Sequence, residues 1–349
     1  MLGEAATLAF RGRMQPETYF LYRLYDPSLT KDAKRRYLSE APRSNDRLWS
    51  LLTPIRYRCL FDNKLIFNRF FASAGLPVAT AFGVFDPTVG RSMGGESLRT
   101  EPELARFLRR MDENGFVFKP LEGIRGNRVL VFTGAVPDDP DTFLTLSGDR
   151  YDAAALVAVA CGTPSLEVEN PGANRLPFLI EERVRPHPSL AEFIGPTLCT
   201  IRFVTIVAVD GSPRIIASVF KLQPKPLGVD QLIHGALACW VDPDTGALCP
   251  ARSRFDCVYA SVIPGTDRSF VGYRLPCWPE AKHLALEAAA AFPWARAIGW
   301  DIAISDRGPV LIEGNERWAP SLVQLAAPCG LMDGELKTLY DTLRTGKRG

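Results

Sequence analysis

GWDIAISDRGPVLIEGNERW, residues 299–318, sets two carboxylates and an amide among strand-like apolar residues, at Asp301, Glu313 and Asn315. The flanking runs Ile302-Ala303-Ile304 and Val310-Leu311-Ile312 read as two strands, with Asp306-Arg307-Gly308 as the turn between them. Folding that hairpin lays Asp301 beside Glu313 or Asn315, and Glu313 and Asn315, two apart, share one face. Two carboxylates and an amide oxygen gathered there repel and lose hydration unless a cation sits between them. Hard oxygen ligands suit Mg²⁺ or Mn²⁺. Two readings stand at this point: a magnesium site, or strand-end acids that face water.

The 349-residue chain is long enough for two domains or one large α/β enzyme with a lid, and its 46% apolar content supplies a substantial core. It carries 41 basic against 39 acidic residues, a net charge of +2, so binding to nucleic acid has no electrostatic support while a nucleotide-sized anion remains compatible. Eight scattered cysteines without a C-x-x-C pair, and only three histidines, speak against a zinc site or a disulfide framework. MLGEAATLAFRGRM at the N-terminus lacks the apolar core of a signal peptide, and no run reaches the roughly 18 to 20 apolar residues of a spanning helix. The expectation is a soluble, cytoplasmic protein with no membrane partner. Oligomeric state leaves no trace in the sequence.

Up to about residue 60 the pattern is helical, with an aromatic stripe (Tyr19, Phe20, Tyr22, Tyr25) read as packing and a break at Ala41-Pro42. DNKLIFNRFFASAGLPVA, residues 62–79, opens on Asp62 as N-cap candidate, runs at helical spacing and closes on Gly75 before Pro77. Thr100 and Glu103 form a capping box for a helix ending near Gly115. The strand FVFKP, 116–120, then enters LEGIRGNR and the strand VLVF, 129–132. Gly123 and Gly126 lie in that turn, where backbone N–H groups can approach phosphate oxygens within reach of Lys119, or where a plain hairpin loop carries a solvated lysine. The loop fits neither the G-K-[ST] phosphate loop nor the dinucleotide fingerprint. A helix is expected over 153–161, and PFLIEERV, 177–184, is a strand ending in Glu181, Glu182, Arg183 and Val184. TIRFVTIVAV and RIIASVFKL flank Asp210-Gly211, a strong hairpin signal, and Arg202 and Lys221 interrupt those strands, either facing solvent or lining a cleft. VDPDTG, 241–246, is a further turn, and PEAKHLALEAAAAF and LMDGELKTLYDTLR are helices.

Taken in order, D-N-K before a helix and G-L-P-V, F-x-x-K-P with its glycine loop, L-I-E-E-R-V, and G-W-D followed by L-I-E-G-N resemble the ATP-grasp superfamily. The N-terminal Y-F-L-Y-R-L-Y and the T-I-R-F-V-T and V-D-P-D-T-G segments further resemble its sugar-transfer-associated branch, which is related to α-L-glutamate ligase-like proteins, from about residue 18 onward. The resemblance implies an α+β ATP-grasp fold in which two α+β lobes clamp ATP beneath an N-terminal helical cover. The parts would be a helical region over 1–60, an α/β subdomain over 61–117, a small lobe with a lid loop over 118–184 and a large lobe with the metal site over 185–349. It further implies an ATP-dependent ligase joining a small-molecule carboxylate to an amine or other nucleophile through an acyl phosphate, in polysaccharide or secondary-metabolite biosynthesis. A kinase acting on a hydroxyl and a non-catalytic nucleotide-binding protein are the rival readings.

Carried over by position, Lys64 and Lys119 match the phosphate-contacting lysines of D-alanine ligase-like members. Glu181 to Val184 match the hinge that holds adenine. Asp301, Glu313 and Asn315 match the ligands of two magnesium ions, with manganese as a substitute. Lys221 resembles a third phosphate-contacting cation, and Arg202 and Arg317 are candidates for the acyl phosphate or substrate carboxylate. Glu192 is one candidate for the ribose, and His234 is either a substrate contact or a packing residue.

Overall fold

The computed structural model describes residues 14–39, 42–111, 114–123, 126–162, 177–255 and 259–346, without the side chains of 42–46. The segment before Met14, Ala41, Ile124 and Arg125, and Cys257 lie outside the described residues. Fourteen strands are described: β1 (Ala81–Phe85), β2 (Arg91–Ser92), β3 (Phe116–Pro120), β4 (Leu130–Val136), β5 (Asp139–Thr145), β6 (Arg150–Tyr151), β7 (Phe178–Glu182), β8 (Thr200–Val207), β9 (Pro213–Leu222), β10 (Leu237–Val241), β11 (Leu248–Arg252), β12 (Tyr259–Ala260), β13 (Ala297–Ser305) and β14 (Gly308–Asn315).

They form two seven-stranded antiparallel sheets. The first runs β2-β1-β7-β3-β4-β5-β6, with β7 entering last in the chain yet pairing with both β1 and β3. The expected boundary at 117/118 therefore falls inside β3, and residues 81–182 make one sheet. Phenylalanines on alternate positions hold it together. Phe116 stacks on Phe132 at 4.6 Å and Phe118 on Phe178 at 4.5 Å, while Leu104, Phe107 and Leu156 cover them from helices Glu101–Leu108 and Ala153–Cys161. The first of these helices carries the capping box at Thr100 and Glu103 but stops at Leu108, short of Gly115.

The second sheet runs β12-β11-β10-β9-β8-β13-β14 and is covered on both faces, so every residue of β8 is buried. One face, carrying Ile201, Phe203, Phe220, Trp300 and Ile302, packs on helices Trp278–Ala291 and Lys64–Ser73. The other, carrying Val204, Ile206, Ala217 and Val219, lies under Tyr19, Leu24 and Leu52 from the N-terminal region and Trp318, Leu322 and Leu339 from the C-terminal helices. Each fully buried side chain of this size contributes about 1.5–3 kcal/mol relative to exposure. Tyr19 and Tyr22 of the N-terminal stripe are inside this cover, and Tyr25 is exposed.

The sheets meet at β14. Leu311 N–H donates to Pro77 O at 2.8 Å just before β1, Asp306 N–H to Arg185 O at 3.2 Å, and His187 N–H to Ile304 O at 2.9 Å. Among the described residues, no helix is long and apolar enough to cross a membrane.

Candidate active site

The site is written across four neighbouring strands. In the β13–β14 ladder Asp301 lies opposite Glu313 and Gly299 opposite Asn315, and in the β8–β13 ladder Asp301 lies opposite Arg202. Val219 of β9 pairs with Arg202, so Lys221, two further along, is the diagonal neighbour on the same face. The alternation of each strand thus collects Glu313, Asp301, Arg202 and Lys221 on the face that elsewhere carries Val204 and Ala217.

Asp301 is buried and takes donors from two cations. Arg202 Nε reaches Oδ1 at 2.6 Å and Nη2 reaches Oδ2 at 3.0 Å, a bidentate grip, while Lys221 Nζ reaches Oδ2 at 3.1 Å. Burial opposes the charge on Asp301, but Arg202 and Lys221 outweigh it and hold the carboxyl well below the ordinary carboxylate range. Glu313 goes the other way: burial first, then the Asp301 charge, push its carboxyl up, against the pull of Lys64, and it shares a hydrogen bond with Asp301. Asn315 Nδ2 donates to Gly299 O at 3.3 Å and to Glu313 Oε1 at 3.4 Å. The charge inside β8 that the sequence left between solvent and cleft is therefore inside, and the repulsion foreseen at Asp301 is met by the protein's own arginine and lysine.

Lys64 approaches from the helix side. Asn63, not Asp62, caps this helix, its Oδ1 accepting from the N–H groups of Leu65 and Ile66 at 3.2 and 3.1 Å; Asp62 belongs to the preceding turn, Arg58–Asp62. Asn63 Nδ2 also donates to Glu122 at 3.1 Å, Lys64 N–H to Leu121 O at 2.9 Å and Lys64 Nζ to Gly123 O at 3.3 Å, which ties the helix start to the glycine-bearing turn. Burial, then the charge of Lys119, lowers the Lys64 ammonium, while Glu313, Glu181 and Glu122 oppose the shift. Lys64 thus feels the charges of Lys119 and Glu181 from the first sheet and of Glu313 from the second.

Lys119 on β3 forms a buried ion pair with Glu181 on the neighbouring β7. Glu182, next along, turns to the other sheet: Oε2 accepts from Thr80 N–H at 3.0 Å, and Oε1 pairs with Arg307 in the β13–β14 turn. Val184 is buried against Ala79 and Val310, and Arg183 is half-buried, its guanidinium pushed down by burial. The remaining candidates make no hydrogen bond or ion pair with this cluster among the described residues. Arg317 is exposed in the bend after β14, Glu192 is exposed on the short helix Pro188–Phe193, and His234 is exposed in the turn Leu232–His234. Two residues that sequence reasoning missed belong to the network: Arg307, read only as part of a turn, and Asp230, which pairs with Lys221 at 3.0 Å. No spacing marks Asp230, because its partners come from β8 and β9.

Four basic groups, Lys64, Lys119, Arg202 and Lys221, and four carboxylates, Glu181, Asp230, Asp301 and Glu313, gather where the two sheets adjoin. A model of the sugar-transfer associated ATP-grasp family matches residues 43–339, and the chain belongs to that family. Among solved structures it is similar to D-cycloserine synthetase DcsG, at 14% identity and a TM-score of 0.46, over 94% of each chain. It also resembles the ADP complex of purK, N5-carboxyaminoimidazole ribonucleotide synthetase (12%, TM-score 0.39, 73% of this chain and 45% of that one). An L-amino acid ligase from Bacillus licheniformis matches at 12% and a TM-score of 0.41, over 80% of this chain and 49% of that one. The chain thus spans about half the length of several of these structures. No curated protein matches it.

Proposed function

We propose that the protein is an ATP-dependent ligase that joins a small-molecule carboxylate to an amine or other nucleophile through an acyl phosphate, releasing ADP and phosphate. The observation that carries this reading is the convergence of Lys64 from its helix and Lys119 from the first sheet with Arg202, Lys221, Asp301, Glu313 and Asn315 of the second sheet at the junction of the sheets. Phosphoryl transfer to a carboxylate brings two anions together, so its barrier falls chiefly through fixed positive charge and alignment.

In this reading Lys64 and Lys119 bind phosphate oxygens. Glu181 keeps Lys119 oriented, and the backbone of Glu182 to Val184 lies at the adenine. Lys221 and Arg202 keep positive charge at the Asp301 end, where transferred phosphate and substrate carboxylate meet. The donor set fits magnesium in part. Glu313 and the amide oxygen of Asn315 are hard ligands side by side, whereas Asp301 already accepts three N–H donors and shares a hydrogen bond with Glu313, close to the four lone-pair sites of a carboxylate. Magnesium would supply charge neutralisation at the phosphates.

The test is product analysis. With Mg-ATP and pooled carboxylates and amines, a ligase releases ADP only when both substrates are present, and hydroxylamine replaces the nucleophile to give a hydroxamate. A stable phosphate ester formed on a hydroxyl compound instead would identify a kinase, and the absence of Mg-ATP binding would identify neither.

A further inference from the structure

The connection between β9 and β10, residues 223–236, holds a carboxylate that the reading above leaves unused. Asp230 is buried at 6% exposure; its Oδ2 accepts from Thr200 N–H at 2.7 Å and Thr200 Oγ1 at 2.6 Å, and its Oδ1 lies 3.0 Å from Lys221 Nζ. The Lys221 ammonium is thus gripped from two sides, by Asp230 from the connection and by Asp301 from β13.

The residue before Asp230 faces the other sheet. A Cβ placed on Gly126 in the glycine-bearing turn would lie 2.8 Å from Val229 Cγ1, and one on Gly228 would lie 3.0 Å from Val131 Cγ2 on β4. Backbone therefore meets side chain without room between them, and the first sheet's turn rests on residues 228–229. The connection is braced at its base: Thr197 Oγ1 donates to Lys225 O at 2.6 Å and accepts from Leu227 N–H at 3.1 Å, and Gln223 Nε2 donates to His234 O at 3.3 Å.

We infer that Asp230 is a positioning residue: it fixes the Lys221 ammonium and, through Val229, makes the seating of the glycine-bearing turn and the placement of that ammonium one event. The inference rests on the ATP-site reading. Its physical basis is that Asp301 is shared between Arg202 and Lys221, whereas Asp230 gives one oxygen to Lys221 and the other to Thr200 at the start of β8. Seating the turn on Val229 keeps water from the Lys221–Asp230 pair and strengthens it, and the coupling runs equally in reverse.

The experiment measures Mg-ATP affinity by calorimetry and hydrogen exchange over residues 116–135 in the full chain, for wild type, Asp230→Asn, Asp230→Glu and Val229→Ala. Wild type is expected to bind Mg-ATP and to slow exchange in the turn. Asp230→Asn should lose about 10- to 100-fold in affinity, the range of a charged hydrogen bond, together with the ligand-induced protection. Asp230→Glu should recover part of both. Val229→Ala, which removes only the contact with the turn, should lose protection while its melting temperature stays near wild type, and it decides the matter if Asp230→Asn does not fold. Wild-type affinity and protection in folded Asp230→Asn and in Val229→Ala would overturn the inference while leaving the ATP site intact. No Mg-ATP binding in wild type would overturn the site reading and this inference with it.

Discussion

Arg202 and Asp301 sit opposite one another in the β8–β13 ladder and join through two hydrogen bonds of 2.6 and 3.0 Å, buried beneath Trp318, whose carbonyl takes a third donor from the same guanidinium at 3.0 Å. Removing one partner of such a pair strands the other charge, at a cost of about 3–5 kcal/mol. Arg202→Ala and Asp301→Asn are each expected to lower the urea midpoint accordingly. The double change Arg202→Met with Asp301→Leu is expected to regain most of the stability and none of the ATP turnover. Equal stability of Arg202→Ala and wild type would show that the pair is not buried as described.

Gly299 makes that pair possible. A Cβ there would meet Trp318 Cβ at 2.4 Å and Arg202 Cδ at 2.9 Å, so the arginine reaches Asp301 across space that only glycine leaves empty. Gly299→Ala is expected to destabilise the fold by about 1–3 kcal/mol through overpacking and to reduce Mg-ATP turnover beyond what the folded fraction accounts for. Turnover per folded molecule equal to wild type would separate the glycine from the site.

The hairpin 299–315, the β8–β9 hairpin at Asp210-Gly211 and the strand carrying Lys119 were legible because turn residues and alternation are local signals. Which carboxylate answers which cation was not. The pairing of Asp301 with Arg202 follows from strand order, β8 beside β13, and the position of β7 between β1 and β3 brings Glu181 to Lys119 from 62 residues away in sequence. The β5 strand, with Asp139, Asp141 and Thr142 in its polar first half, and the helix Pro320–Ala326 left no periodic signal strong enough to read. Asp62 and Asn63 are equally good caps by composition; in the fold Asp62 ends the preceding helical turn and Asn63 takes the first amides of the helix while its Nδ2 donates to Glu122.

Cys199 lies at the start of β8 with its thiol against the backbone of Gln223, 3.4 Å from the N–H and 3.8 Å from the carbonyl. Burial, then the nearby Asp230 charge, pushes it up to about 12. The folded protein keeps this thiol protonated where the unfolded chain ionises near 8.5, so its contribution is neutral below that pH, and stability falls as pH rises from about 8.5 toward 12. A thiol reagent at pH 8 is expected to label the exposed Cys59 and Cys329 in the native protein and Cys199 only on unfolding, as read by peptide mass mapping. Rapid native labelling of Cys199 would contradict the packing at the base of Lys221.

Glu182 fastens the end of β7 to both Thr80 and Arg307. Arg307 is largely exposed, so Arg307→Ala is expected to cost at most about 1 kcal/mol. Glu182→Ala also frees the Thr80 N–H and is expected to cost more, about 1–3 kcal/mol by urea denaturation. The reverse order would place the restraint in the β13–β14 turn and not at the end of β7.

Lys119 and Glu313 test the proposed chemistry with the least disturbance of the fold. Glu313→Gln keeps the size of the side chain and a donor toward Asp301, so the folded state is expected to stay close to wild type in stability while the hard carboxylate ligand is gone. Lys119→Ala leaves Glu181 buried without its cation and is expected to lower the melting temperature by several degrees with an unchanged far-ultraviolet circular dichroism spectrum. Both variants are expected to abolish ATP turnover, for different reasons: Glu313→Gln through lost magnesium dependence, Lys119→Ala through weakened nucleotide binding. Calorimetric titration of Mg-ATP separates the two, and near-normal turnover in both would remove these residues from the active site.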